Sequence, residues 1–313
     1  MSKLLKYNQY AGHRPIIKWL EALNFIVDDV NNRADNGNNL KVEQGEFTDE
    51  ITKEITEQIL LSLSNLSAIK DSPNCLTTPI LLSNVNSWYY CIYHAAKSMI
   101  SAQERKTSSE NHTQTAKMFD ELFAKKGLIQ EPFSFRYSSL VESTRENEFD
   151  SQNVTSFKLG GHDNALIRNY SDAKSACFAK LNGEHKYYRE KHENEIKKKT
   201  DFKWSDYNPK EAQDFRGDKL NNKGGIGFLH CAFGVRGSID YRNINILHRD
   251  SFNDKSIQNI NGYLINIAIA FISDMIFFLR KRLPNKEYQD ILDTIEDYAI
   301  NPDLRALFQI EKA

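Results

Sequence analysis

The stretch Arg242-Asn243-Ile-Asn-Ile-Leu-His248 joins three residue types suited to phosphodiester chemistry. RNA is cut without a metal when three tasks are met: a base takes the ribose 2′-OH proton, a cation stabilises the transition-state phosphate, and a polar group holds that phosphate in line. His248 titrates near neutrality and suits the first task. Arg242 carries a permanent charge on a forked array of donors and suits the second. Asn243 offers both a donor and an acceptor for the third. The bland reading of the same residues is a surface turn capped by polar side chains.

In a chain of this composition, Arg followed by His after four to six residues is expected about once by chance. Arg105 and His112 satisfy that bare pattern too. Requiring Asn directly after Arg lowers the chance expectation to roughly 0.1. Geometry adds a condition. Six positions along one α-helix separate two residues by about 9 Å and about 120°. A shared site therefore needs Arg242 in a turn leading into a helix, or a groove between two subunits. A strand is the alternative, because Ile239, Tyr241, Ile244 and Ile246 nearly alternate. Arg236 and Arg249 flank the motif and are candidates for holding RNA phosphates, against the commoner reading of solvated arginines.

Other chemistry-bearing residues have weaker cases. His94 lies on an aromatic helix and reads as a satisfied core histidine, and His112 as a packing or capping residue at a helix start. The lysines at Lys197–Lys199 read as a solvated face. His185 and His192 lie seven positions apart beside Glu184 and Glu193, but no HExxH arrangement or third ligand accompanies them, so no metal is expected. Gly224 and Gly225 are not followed by Gly-Lys-Ser/Thr, so no phosphate loop and no cofactor is expected. Cys75, Cys91, Cys177 and Cys231 form no CxxC pair, which argues for free thiols in a reducing, cytoplasmic setting.

Composition sets the frame. Hydrophobic residues at 40% against 27% charged exclude a disordered chain. A net charge of −1 excludes a protein that coats nucleic acid through a global field, but leaves room for a locally basic groove. The most apolar stretch, Tyr263 to Leu279, carries Asn266 and Asp274 and falls short of a span of ~20 apolar residues, so it is expected to be a core helix and no membrane partner is expected.

The elements that must position the motif are mainly helical. Three- and four-residue spacing of apolar positions predicts helices over 15–30, 48–68 and 79–104, the last with Trp88, Tyr89, Ile92, Tyr93 and Ala96 on its apolar side. Further helices are expected near 112–126, 136–147, 163–181, 184–199, 256–282, 286–299 and 302–311, with a loop over 31–47. The segment 224–237 holds Gly224, Gly225, Gly227, Gly234 and Gly237, which permit tight turns and close backbone approach. The whole, residues 1–313, is expected to form a single elaborated helical domain: N-terminal helices over 1–78, a helical hairpin over 79–147, an insertion over 148–223, and the motif with the C-terminal helices over 224–313.

Two features resemble the HEPN superfamily of prokaryotic helical-bundle proteins. SNVNSWYYCIYHAAKSMIS followed by NHTQTAKMFDELFAKKGLI looks like that family's first helical hairpin. RNINILH is similar to its Arg-polar-x(3–5)-His motif. The long insertion and the glycine-rich lead-in differ from compact members. The resemblance implies an all-α, HEPN-like helical bundle, here with an N-terminal helical extension and a long, partly irregular central insertion. It implies a homodimer that brings two motifs into one cleft. It further implies metal-independent endoribonuclease activity in toxin–antitoxin or anti-phage defence systems, with an antitoxin or defence-complex partner. On that resemblance Arg242, Asn243 and His248 would be catalytic, and His94 and His112 structural. The runner-up is a non-catalytic HEPN-like module that binds a protein partner or RNA as sensor or scaffold. A hydrolase with its site in 150–223 is a third reading, and no nucleophile–base pair there supports it.

Overall fold

The computed structural model describes residues 14–29, 42–72, 77–108, 111–157, 159, 166–242 and 254–298. Among these the chain is all-α, with ten helices and one two-stranded sheet. The N-terminal part gives α1 (Arg14–Asp29), α2 (Asp49–Lys70), α3 (Thr78–Glu104) and α4 (His112–Phe119), which runs into a π-helical turn over Asp120–Ala124. Strand β1 (Arg136–Tyr137), α5 (Glu142–Ser151), α6 (Tyr170–Lys197) and α7 (Lys210–Asn221) follow. Strand β2 (Ile226–Gly227), α8 (Phe228–Arg242), α9 (Asp254–Arg282) and α10 (Asn285–Asp297) complete the described fold. The helix expected over 302–311 lies outside the described residues.

The core is built on α3 and α9. Helix α3 packs along α2 and α9, while α1 packs on α6 and α9. The apolar stretch expected to be a core helix is the middle of α9: Leu264, Ile267, Ala268, Phe271, Ile272, Met275 and Phe278 are fully buried. Its segment Asn259–Arg282 is long and apolar enough to cross a membrane, yet 61% of its most apolar window is buried inside the fold. Aromatic side chains, which bury about 150–250 Å² each, join the helices. Trp19 meets Trp88 edge-on at 6.1 Å, and Phe133 packs against both Phe228 (4.8 Å) and Phe271 (4.9 Å). Arg282, at the end of α9, donates to the carbonyls of Ala102 and Gln103 and so satisfies open acceptors in the last turn of α3.

Several local readings are corrected. The helix expected over 136–147 forms only from Glu142, as α5, and residues 136–141 are a strand followed by a loop. Arg136 and Tyr137 pair antiparallel with Gly227 and Ile226. The Arg136 guanidinium also grips the buried Asp120 carboxylate in two bonds, at 2.9 and 2.8 Å. A tertiary ion pair thus overrides helix propensity. Gly225 and Gly227 are required at this crossing, because a Cβ at either would overlap the Asp120 carboxylate. The two helices expected over 163–181 and 184–199 are one helix, α6, which passes through Gly183 and is capped at its start by Asn169. Within 200–223, which carried no helix in the sequence reading, α7 forms. The strand reading of Ile239 and Tyr241 fails, since both belong to α8.

Candidate functional site

Helix α8 positions the site. Its buried side chains Phe228, Leu229, Cys231, Ala232 and Val235 anchor it in the core. Gly234 lets it approach α6, where a Cβ would overlap the Glu184 carboxylate, itself paired with Lys180 at 2.6 Å. Phe233 and Arg236, three positions apart and so on one side of the helix, are half-buried toward α3 and α4.

These two residues meet a cluster of rings. Tyr90, His94 and Lys97 recur on α3 at helical spacing beside the buried Tyr89 and Tyr93. Helix α4 brings His112, its start fixed by the Asn111 side chain, which accepts from the Gln114 amide at 3.1 Å. The His112 ring lies 4.5 Å from Tyr93 and stacks on Phe233 at 5.4 Å with a 16° interplanar angle. Its Nδ1 is 2.8 Å from the Tyr89 hydroxyl. The Arg236 guanidinium sits 5.6 Å over the Tyr90 ring, and Lys97 Nζ lies 6.0 Å from the Tyr93 ring.

Hydrogen bonding sets the protons. Gln58 donates its amide nitrogen to Glu54 at 3.2 Å, which turns its amide oxygen toward His94 Nδ1 at 2.7 Å. An amide oxygen only accepts, so His94 carries its proton on Nδ1 and presents a bare Nε2. Burial pushes His94 down to about 4, helped by the charges of Lys97 and His112. His112 is lowered by burial, then by Arg236 and Lys97. Burial also raises Tyr89, so its phenol keeps its proton. Both imidazoles are therefore neutral beside cations at neutral pH.

Of the residues singled out from sequence, Arg236 lies in this face. Arg242 is the last residue of α8, about 9 Å further along the same helix axis. Asn243, His248 and Arg249 lie outside the described residues. His94 and His112, read from sequence as structural, are half-buried and share the face with Arg236. A signal for this was present: Tyr90, His94 and Lys97 each sit one position past a core residue, Tyr89, Tyr93 and Ala96, and form their own i, i+4, i+7 row. No comparable signal places Phe233 or Arg236, whose position depends on tertiary packing.

The remaining titratable groups do other work. His185 is fully buried, donates through Nε2 to the Ser139 carbonyl at 3.2 Å, and is pushed down to about 4 by burial. His192 pairs instead with Glu195 at 2.7 Å. Among the described residues no group of three or more His, Cys, Asp or Glu side chains is placed to hold a metal ion. Cys91, Cys177 and Cys231 are buried free thiols, and Cys75 lies outside the described residues. On another side, α5, α6 and α7 enclose an open cleft of about 640 Å³ lined by Glu142, Glu146, Arg189, Glu193, Asp214 and Asp218, among others.

The class these observations define is an all-α protein with a half-buried face of histidines, tyrosines and cations on three of its helices. Compared with protein-family models, curated proteins and solved structures, the chain matches none.

Proposed function

We propose that the protein is a metal-independent endoribonuclease of HEPN type, acting as a homodimeric toxin or anti-phage effector in the cytoplasm. In this reading His248 takes or returns the proton of the 2′-OH, Arg242 stabilises the transition-state phosphate, and Asn243 positions it. Arg236 and Arg249 hold neighbouring phosphates.

The observation that supports this is the packing of α8 on α3 and α4. The two sequence features that resemble the family, the aromatic hairpin and the Arg-Asn-x(4)-His motif, are more than a hundred positions apart. The helix that ends in Arg242 lies directly against the hairpin that carries His94 and His112. Such a juxtaposition gives a chain of net charge −1 a local concentration of cations, which RNA recognition requires.

The test is incubation of the purified protein with total RNA and tRNA in EDTA. Cleavage that persists without divalent ions and leaves 2′,3′-cyclic phosphate ends is expected. Products with 3′-hydroxyl ends, or cleavage that EDTA abolishes, would remove the mechanism.

A further inference from the structure

The cleft between α5, α6 and α7 has a volume of about 640 Å³, within the roughly 300–1,000 Å³ of sites that hold small molecules. Its charges lie in rows, because residues four apart share one face of a helix. Helix α5 presents Glu142 and Glu146, α6 presents Arg189 and Glu193, and α7 presents Asp214 and Asp218. The glutamates are answered from within the fold. Arg189 pairs with Glu142, Arg216 pairs with Glu193 at 3.4 Å, and Arg145 meets Glu142 and Glu146 at 2.7 and 3.3 Å. The aspartates are not: among the described residues no cation pairs with Asp214 or Asp218. Like charges one turn apart weaken a helix, so α7 carries a repulsion that no protein group relieves.

Two further observations point to an occupant. Gly217 lies between the aspartates and lines the cleft, yet nothing stands within 4 Å of where its Cβ would be. Packing does not require this glycine, and in mid-helix it weakens α7 relative to alanine. Its effect is to keep the wall of the cleft open. Behind Glu142, His185 is fully buried, with its Nδ1 unpartnered and 3.9 Å from Glu142 Oε2. Its Nε2 donates to the Ser139 carbonyl, so Nδ1 is bare and two acceptors face each other at this end of the cleft. A cation lodged against Glu142 relieves that opposition.

We propose that the cleft binds a linear aliphatic polyamine, with two ammonium groups on Asp214 and Asp218, its methylenes over Gly217, Val141 and Leu220, and a further ammonium toward Glu142 and Glu146. The spacing agrees. Residues one turn apart on α7 are separated by about 6 Å along the axis, and a linker of roughly three or four methylenes holds two amines at a comparable distance. A divalent metal ion fits less well, since its oxygen ligands must converge. No group of three or more His, Cys, Asp or Glu side chains among the described residues does so. A monoamine reaches one aspartate and leaves the other. This site is independent of the ribonuclease reading.

The site is tested by calorimetric titration of the full-length protein with spermidine, putrescine, magnesium chloride and an oligolysine peptide at one ionic strength. Spermidine is expected to saturate a single site and to bind at least tenfold more tightly than magnesium, with putrescine between them. Asp214→Asn combined with Asp218→Asn should weaken spermidine at least tenfold. Gly217→Leu fills the wall while raising helix propensity, and should weaken it as much with circular dichroism and Tm maintained. Glu50→Gln removes an exposed charge on α2 and should leave binding unaltered. Absence of spermidine binding overturns the site, as does magnesium binding as tightly as spermidine. Binding that Gly217→Leu and the paired substitutions leave unchanged, or that Glu50→Gln weakens equally, overturns it too. Tighter binding of the peptide than of spermidine would replace the small polyamine with a basic protein and so remove the assignment.

Discussion

The α3–α4–α8 face and the α5–α6–α7 cleft are both lined by ionisable side chains, mainly basic and aromatic in the first and mainly acidic in the second. In the first, two histidines sit with Lys97 and Arg236 among aromatic rings. In the second, Glu142, Glu146, Glu193, Asp214 and Asp218 surround Arg189 and Arg216, and the arginines are committed to Glu142 and Glu193. A near-neutral chain thus carries local regions of different charge composition. The difference teaches that overall charge says little about whether a polyanion can bind, while local sorting says much.

The tie between the two regions is the Asp120–Arg136 pair, which joins the end of α4 to the strand leading into α5. Asp120 is 1% exposed, and removing one partner strands the other as an uncompensated charge. Asp120→Ala is expected to cost about 3–5 kcal/mol, read by urea unfolding. Both regions should loosen together. If only one side loses hydrogen-exchange protection, they are independent units.

A second comparison concerns protonation. His185 behind the acidic cleft and His94 in the cationic face are both pushed to about 4, and the fully buried His230 to about 3. The unfolded chain titrates these groups near the ordinary histidine value of about 6.5 and therefore binds more protons than the native state below it. Their contribution to stability is thus complete above pH ~6.5 and is lost as pH falls toward ~4 and ~3. The expected slope is about 1.4 kcal/mol per pH unit for each histidine, within that window. Wild type and His230→Gln should therefore converge in stability between pH 7 and pH 4.5. A gap that stays constant over that range would show that His230 is not held neutral.

Smaller effects separate the two regions further. Asn111→Ala removes the cap that fixes the start of α4, and should cost about 1 kcal/mol, read by urea unfolding. Asp214→Asn at the exposed rim of the cleft should change stability by no more than about 0.5 kcal/mol and leave RNA cleavage unaltered. A rise in cleavage on removing that charge would mean that the cleft, too, meets RNA.

Periodic elements were legible in the sequence, and elements made by tertiary pairing were not. The aromatic row of α3 and the apolar run of α9 announce core helices because each repeats its pattern over many turns. The expected all-α class follows from them. Arg136 and Tyr137 look helical in isolation, and only Asp120 and the glycines of β2 make them a strand. Two helices were expected over 163–181 and 184–199, yet α6 runs on through Gly183, since a single glycine costs only about 1 kcal/mol in a helix. At the site, Arg236 was singled out only as a flank of the motif, and both its place beside Tyr90 and the nearness of His94 to His112 depend on how α4 and α8 pack over α3. That return is set by Asn111, Tyr89 and Phe233 acting together, and no single segment contains them.

The measurement that tests the central claim most directly is the rate of tRNA cleavage in EDTA by wild type, Arg242→Ala and His248→Ala at matched folded concentration. Loss of a transition-state cation or of the general base is expected to slow cleavage about 100-fold or more in each variant. Cleavage that proceeds at the wild-type rate in both would contradict the assignment of Arg242 and His248.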